Sequence, residues 1–193
     1  MVKPEDVVSR VKIFGLEDSV AASKYPFATD VEKCTPEITK TTHRLARAPR
    51  GSGEDTFMHG IIVQFDLTLT TKAWVQAERY HFLEFISSES QMHKLVDFDI
   101  EQRYIEYVDH VMINRMKELL EDYHKEPTAE KKLVLLYSNP QGFRLTARMT
   151  TNYQQLKTIY AQRKAHFLPE WRAVCEFFDS LPLSSWITNK DEE

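Results

Sequence analysis

The sequence predicts a single α+β domain, and three observations carry that expectation. One stretch alternates strictly in hydrophobicity, several others repeat at helical spacing, and the two kinds are interspersed along 193 residues, enough chain for one compact core. The clearest strand is "GIIVQFDLTLTT": Ile61, Val63, Phe65, Leu67 and Leu69 point one way, and Gln64, Asp66 and Thr68 the other. "VKIFGL" gives a first strand near residues 8–14. "GFRLTARMT" gives another, with Phe143, Leu145, Ala147 and Met149 inward and Arg144 and Arg148 on the opposite face.

The helices follow from caps and breakers. "EDSVAASKY" forms a short piece that stops before Pro26, and Thr35-Pro36 opens a helix expected to run to about Ala48. "RGSGEDT" is the most loop-like stretch, because three of the five glycines stand at 51, 53 and 60. Thr70 or Thr71 caps a helix that should continue to the polar run "SSESQ". Residues 100–124 read as mostly helical, with Val111, Met112, Met116, Leu119 and Leu120 as a core stripe. "AEKKLVLLY" is a shorter helix ending before Asn139-Pro140. Helices then run from about Asn152 to Ala165 and from Pro169 through Phe178, before a polar tail containing Trp186.

Charge narrows the function. Lys and Arg number 25 against 29 Asp and Glu, a net charge of −4, which argues against a protein that coats nucleic acid and leaves room only for a local basic pocket. Cys34 and Cys175 form no Cys-x-x-Cys pattern, and the seven histidines have no metal-ligand spacing, so no metal site is expected. A charged start, "MVKPEDVVSR", and the lack of any run near the roughly 20 apolar residues that span a bilayer predict a soluble, cytoplasmic protein. Glycine-rich phosphate loops, a nucleophile elbow and a His-Glu-x-x-His helix are absent.

Two helical patterns hold charges in the wrong place. At roughly 100° per residue, Trp74, Val75, Phe82 and Phe85 of "WVQAERYHFLEF" share a face with the following Ile86, Glu78 falls inside it, and Arg79 and His81 border it. Buried charges need partners, so an internal ion pair from Glu78 to Arg79 or Arg163 is one expectation and a ligand is the other. In the helix from Asn152, Leu156, Ile159 and Tyr160 define a stripe with Arg163 at its centre, and Asn152 is either a cap or a contact. A guanidinium fork suits phosphate or carboxylate, so Arg163, Arg144 and Arg148 together suggest an anion pocket, although a solvated strand face explains the last two equally well.

The order of segments resembles the flavin-dependent thymidylate synthases. "DTFMHG" places Phe57 and His59 in register with that family's "TPFEH", and Arg79-Tyr80-His81 stands where the family has Arg-His-Arg, seven residues before its serine. Pro140, Thr150, Asn152, Arg163 and Trp171 follow in the family's order, with its eleven-residue Asn-to-Arg spacing, and "GLEDSVAASKYP" resembles its early "DLSVVNAARVS". The resemblance covers nearly the whole chain. It implies a mainly antiparallel sheet with long helices, a homotetramer with shared active sites, bound FAD, and reduced folate and NADPH as cosubstrates in the methylation of dUMP. Carried over, Arg79 and Asn152 would bind cofactor and Arg163 substrate; beside them His59 is expected to bind cofactor, Arg148 and Arg144, from their shared strand face, to bind substrate, and His81 and Ser88 to be catalytic. The chain departs from the pattern at His81, Glu89, Gln91, Met58, Leu136 and Gln154, and "GSGEDT" lacks the expected histidine. Losing cations weakens the grip on a dianionic phosphate, so methylation or hydroxymethylation of a pyrimidine nucleotide stands beside a second expectation, an inactive nucleotide-binding or sequestering protein.

Overall fold

The structure, a computed structural model, describes residues 1–190. In chain order the elements are α1 (Pro4–Val7), β1 (Val8–Phe14), α2 (Leu16–Ala22), α3 (Lys40–Ala46), β2 (Ile62–Thr70), α4 (Thr71–Ala77), β3 (Glu84–Ser88) and α5 (Gln91–Lys94). They continue as α6 (Ile100–Arg103), α7 (His110–Lys125), α8 (Ala129–Ser138), β4 (Arg144–Asn152), α9 (Tyr153–Arg163), α10 (Pro169–Phe178) and α11 (Ser185–Thr188).

The four strands form one antiparallel sheet in the order β1-β2-β4-β3. β2 pairs along its whole length with β4, so the alternation seen in each sequence settles one shared inner face. Val63, Phe65, Leu67, Leu69, Ala147 and Met149 fill that face, and α9 and α10 lay Leu156, Ile159, Trp171, Val174 and Phe178 against it. A second cluster gathers Leu95, Ile100, Tyr104, Met116, Leu135 and Phe143 beneath α5 to α8. There the Tyr104 hydroxyl donates to Asn139 Oδ1 at 2.6 Å, and burial pushes its pKa up to about 12.

Several sequence expectations are corrected. Thr35-Pro36 starts no helix; α3 begins at Lys40 because Thr39 and Thr42 cap each other's backbone reciprocally, at 3.2 Å both ways. The helix expected to run from Thr71 to "SSESQ" stops at Ala77, and residues 84–88 become β3 on the free edge of β4. Phe and Ile suit a strand as well as a helix, so pairing to β4 decides the matter, and Phe82 turns the chain with a positive φ of 67°. Consequently Val75, Phe82, Phe85 and Ile86 are exposed rather than buried, and Glu78, Arg79 and His81 face solvent. The segment 100–124 is broken at Tyr104, which bridges to Phe143, and Val111 and Met112 at the start of α7 are exposed while Met116 is core. Trp186 belongs to no polar tail: it is fully buried in α11, its indole N–H donating to His43 Nδ1 at 3.0 Å. Among the described residues no helix is long and apolar enough to cross a membrane.

One polar knot ties the glycine loop to α9. Lys157 is buried, and its ammonium donates to Asp55 at 2.9 Å and to the carbonyls of Ala46 and Ala48 at 2.8 and 2.6 Å. The other Asp55 oxygen accepts from Gln154 Nε2 at 2.8 Å. Every strong donor direction of the ammonium therefore meets an oxygen, as a buried charge requires. Gly51 and Gly53, both at φ 82°, let the chain fold back to deliver Asp55. Lys157→Met leaves Asp55 buried without a counter-ion and is expected to destabilise the protein by about 3–5 kcal/mol in urea unfolding. Adding Asp55→Asn should recover part of that loss, and a single-variant loss below about 1 kcal/mol would contradict the knot's role.

Candidate functional site

The turn between α4 and β3 carries "RYHF", and its shape is set from behind. Arg163, on the last turn of α9, donates from Nε to the Tyr80 hydroxyl at 2.8 Å and from Nη1 to Gln76 Oε1 at 2.9 Å. Its guanidinium lies 4.9 Å from the Trp171 ring and 5.4 Å from the Tyr80 ring, a cation held between two aromatic faces. Gln76 Oε1 also accepts the Trp171 indole N–H at 3.1 Å, and the Tyr80 hydroxyl donates to Gln162 Oε1 at 2.9 Å. The arginine that periodicity placed in an apolar stripe thus has aromatic walls and neutral acceptors. Among the described residues Glu78 pairs with neither Arg79 nor Arg163, so the ion-pair expectation for it fails. Nearby His166 has its pKa lowered from the ordinary histidine value, first by burial and then by the charges of Arg163 and Arg172.

With Tyr80 anchored, its neighbours face outward. Arg79, His81, Glu78, Glu84 and Phe85 surround a concavity of about 370 Å³. Phe82 sits between two of the other sequence-predicted residues, its ring 4.1 Å from His81 and 6.1 Å from His59. So the structure gathers Arg79, His81 and His59 around one turn. Asn152 stands at the end of β4 opposite Ile62, where its Oδ1 accepts from Gln155 N at 2.9 Å and caps α9.

The other predicted residues lie elsewhere. Arg148 and Arg144 are on the outer face of β4, away from α9. Arg148 bonds Asp66 at 3.1 Å and the Arg10 carbonyl at 2.7 Å, while Arg10 reaches the same buried carboxylate at 3.1 Å. Arg144 donates to the Gln102 carbonyl at 3.1 Å. Within one chain, therefore, Arg163, Arg148 and Arg144 do not converge on an anion pocket. His81 lies in the turn before β3 and Ser88 is the last residue of β3, a strand roughly 13 Å long from first to last residue. Beside Ser88, Glu89 is gripped by the Arg103 fork at 2.7 and 2.9 Å and by the Thr146 N–H at 2.8 Å. Burial raises its pKa, but the Arg103 hydrogen bonds, the Thr146 N–H and the Arg103 charge outweigh burial and hold it below the usual carboxylate value.

Gln76, Tyr80, Trp171, Asp55 and Arg103 were not legible as site or scaffold partners, because each acts across long sequence separations. Lys157 did leave a signal: it stands four residues after Tyr153 and three before Tyr160, on their buried face.

No protein-family model and no curated protein sequence matches the chain. Its structure is nonetheless similar to the crystal structure of flavin-dependent thymidylate synthase ThyX from Helicobacter pylori complexed with FAD and dUMP. The TM-score is 0.70 at 15% identity, covering 93% of this chain and 97% of that one. A second structure of ThyX from that organism, also with FAD and dUMP, gives 0.69 at the same identity and coverage. The UMP/dUMP methylase PolB from Streptomyces cacaoi, bound with 5-Br dUMP, gives 0.60 at 13% identity and 89% coverage of both chains. The chain has the α+β fold of the flavin-dependent thymidylate synthases, which it shares with nucleotide methylases of that type.

Because the Glu89 pKa is lowered on folding, its contribution is fully present above the unfolded carboxylate pKa and is lost as pH falls through the folded one. Glu89→Gln is expected to cost about 1–2 kcal/mol at pH 7 and to flatten the acid limb of the stability profile below about pH 4.5. Urea midpoints from pH 3 to 7 read both, and a variant whose acid limb parallels wild type would refute the grip.

Proposed function

We propose that the protein binds a flavin and a pyrimidine nucleotide such as dUMP and transfers a one-carbon unit to the pyrimidine, as a diverged enzyme on the flavin-dependent thymidylate synthase fold. The observation that carries this reading is the Arg163-braced turn. It places the Arg79 guanidinium, the His81 imidazole and the Phe85 ring, with the Glu78 and Glu84 carboxylates, around a concavity, and stacks Phe82 and then His59 beside His81, on a fold for which the compared ThyX structures hold FAD and dUMP. The donor set fits a phosphorylated aromatic ligand: Arg79 suits phosphate and the His59-Phe82-His81 rings suit a planar heterocycle. About 370 Å³ suits one ring system and a phosphate, not a whole flavin dinucleotide, so the remaining wall comes from a second copy in a homotetramer.

When bound, the flavin supplies the redox chemistry, with NADPH as reductant and reduced folate as carbon donor. This chain's residues do the rest. Arg79 holds phosphate, Asn152 keeps its amide N–H₂ for the cofactor while its oxygen caps α9, and His81 exchanges a proton at the rim of the pocket. Ser88 lies too far along β3 to meet His81 in one chain, so it enters a site only from a neighbouring copy. Arg163 braces the rim from behind through Tyr80 and Gln76, whereas Arg144 and Arg148, committed to protein acceptors on the outer face of β4, take no part in it within one chain.

A second reading, a nucleotide-binding protein without turnover, draws on Glu89. A carboxylate already committed to the Arg103 fork and the Thr146 N–H stands at the position of the family motif's serine, so the hydroxyl of that position is missing while the rest of the turn is kept. The absorption spectrum of the purified protein and a titration with FAD, followed by assay of dTMP formation, separate the readings. Flavin uptake with turnover supports the enzyme, and uptake without turnover supports the binding protein. Arg79→Ala should weaken FAD about tenfold to a hundredfold, the worth of one or two charge-assisted hydrogen bonds. A colourless protein that takes up no FAD and gains no thermal stability from dUMP would contradict both.

A further inference from the structure

A second charged surface lies around α3. Residues 33–50 hold five cations, Lys33, Lys40, Arg44, Arg47 and Arg50, against the single acid Glu37, a local excess of +4 in a chain of net charge −4. Two hollows adjoin there, of about 520 and 430 Å³, and both are walled by Ser23, Phe27, Arg44 and Leu45. Lys24 borders the first and Phe57 the second. Phe27 is 77% exposed, an aromatic ring that lines a hollow without being packed. Arg44 has its closest acid, Glu54, at 3.7 Å, beyond hydrogen-bond length, and its side chain is 63% exposed.

We propose that this trough is a second ligand site, separate from the rim at residues 78–85, which takes a small molecule combining an aromatic ring with a phosphate or carboxylate. The Arg44 fork receives the anion in bidentate fashion, beside apolar walls that raise the strength of the contact above that in open water. Phe27 and Phe57 receive the ring, Leu45 forms the floor, and the Lys24 ammonium attracts the same negative charge. The combined size is that of sites for ordinary small ligands. A merely solvated helix face would need neither the hollows nor the unpacked phenyl ring.

Amide chemical-shift titrations with inorganic phosphate, phenyl phosphate and benzoate test this. Both aromatic anions are expected to shift residues 23–27, 39–45 and 53–57 and to bind more tightly than inorganic phosphate. The tighter of the two tells phosphate from carboxylate. Arg44→Ala and Phe27→Ala, both exposed positions, should each weaken binding about tenfold, a loss of about 1.4 kcal/mol, while Arg79→Ala leaves it unchanged. The site is overturned if no compound shifts those segments at millimolar concentration, if the shifts are confined to 78–85, or if Arg44→Ala binds as wild type does. Because Arg79→Ala reports on the other pocket, failure here is distinguishable from failure of the FAD reading.

Discussion

The guanidinium of Arg163 joins four pieces of the structure that have no local reason to meet. It sits on α9, leans on Trp171 of α10, bonds Gln76 of α4 and fixes Tyr80 in the turn before β3. A cation between two aromatic rings with neutral acceptors on its N–H groups is a stable arrangement that avoids a buried ion pair and its desolvation cost. Its consequence is directional. With Tyr80 pointing inward, Arg79 and His81 on either side point out, and the positive φ of Phe82 swings the chain into the edge strand. The rim of the concavity depends on this single anchor.

Electrostatics divides the sheet. The inner face is apolar except for the buried Thr151 of β4, whereas the outer face carries paired charges: Asp66 between Arg10 and Arg148, and Glu89 within the Arg103 fork. Each arginine there already has an acceptor in the protein, which leaves little cationic capacity free for a dianion on that face. Around α3, by contrast, the exposed Arg44 guanidinium stands beside apolar hollows. On this distribution the two proposed rims, and not the sheet, are the surfaces that would receive an anion.

Much of the framework was legible in the sequence. β2 and β4 read correctly because one buried face enforces a period of two over nine residues, and α10 read correctly because Pro169 fixes its start. The stretch from Trp74 to Ser88 misled, since aromatic and β-branched residues satisfy a helical or an extended pattern and only pairing with β4 chooses between them. Arg163 stands out in the sequence as a cation in an apolar stripe, yet its partners lie 83 and 87 residues away and leave no local trace. Trp186 reads as a tail residue because four helical residues in a polar setting give no periodicity to follow. The resemblance carried by Arg79, Asn152 and Arg163 pointed to the fold that the structure has, at an identity of 15% or less to the compared structures.

Hydrogen exchange of the turn, followed by mass spectrometry with FAD and dUMP added, tests its assignment as the ligand rim most directly. Slower exchange of the amides of residues 78–83, in wild type but much less in Arg163→Ala, is the expected result, because the ligand closes over a turn that Arg163 must first hold in place. Exchange across 78–83 that does not change on addition of either compound would contradict it.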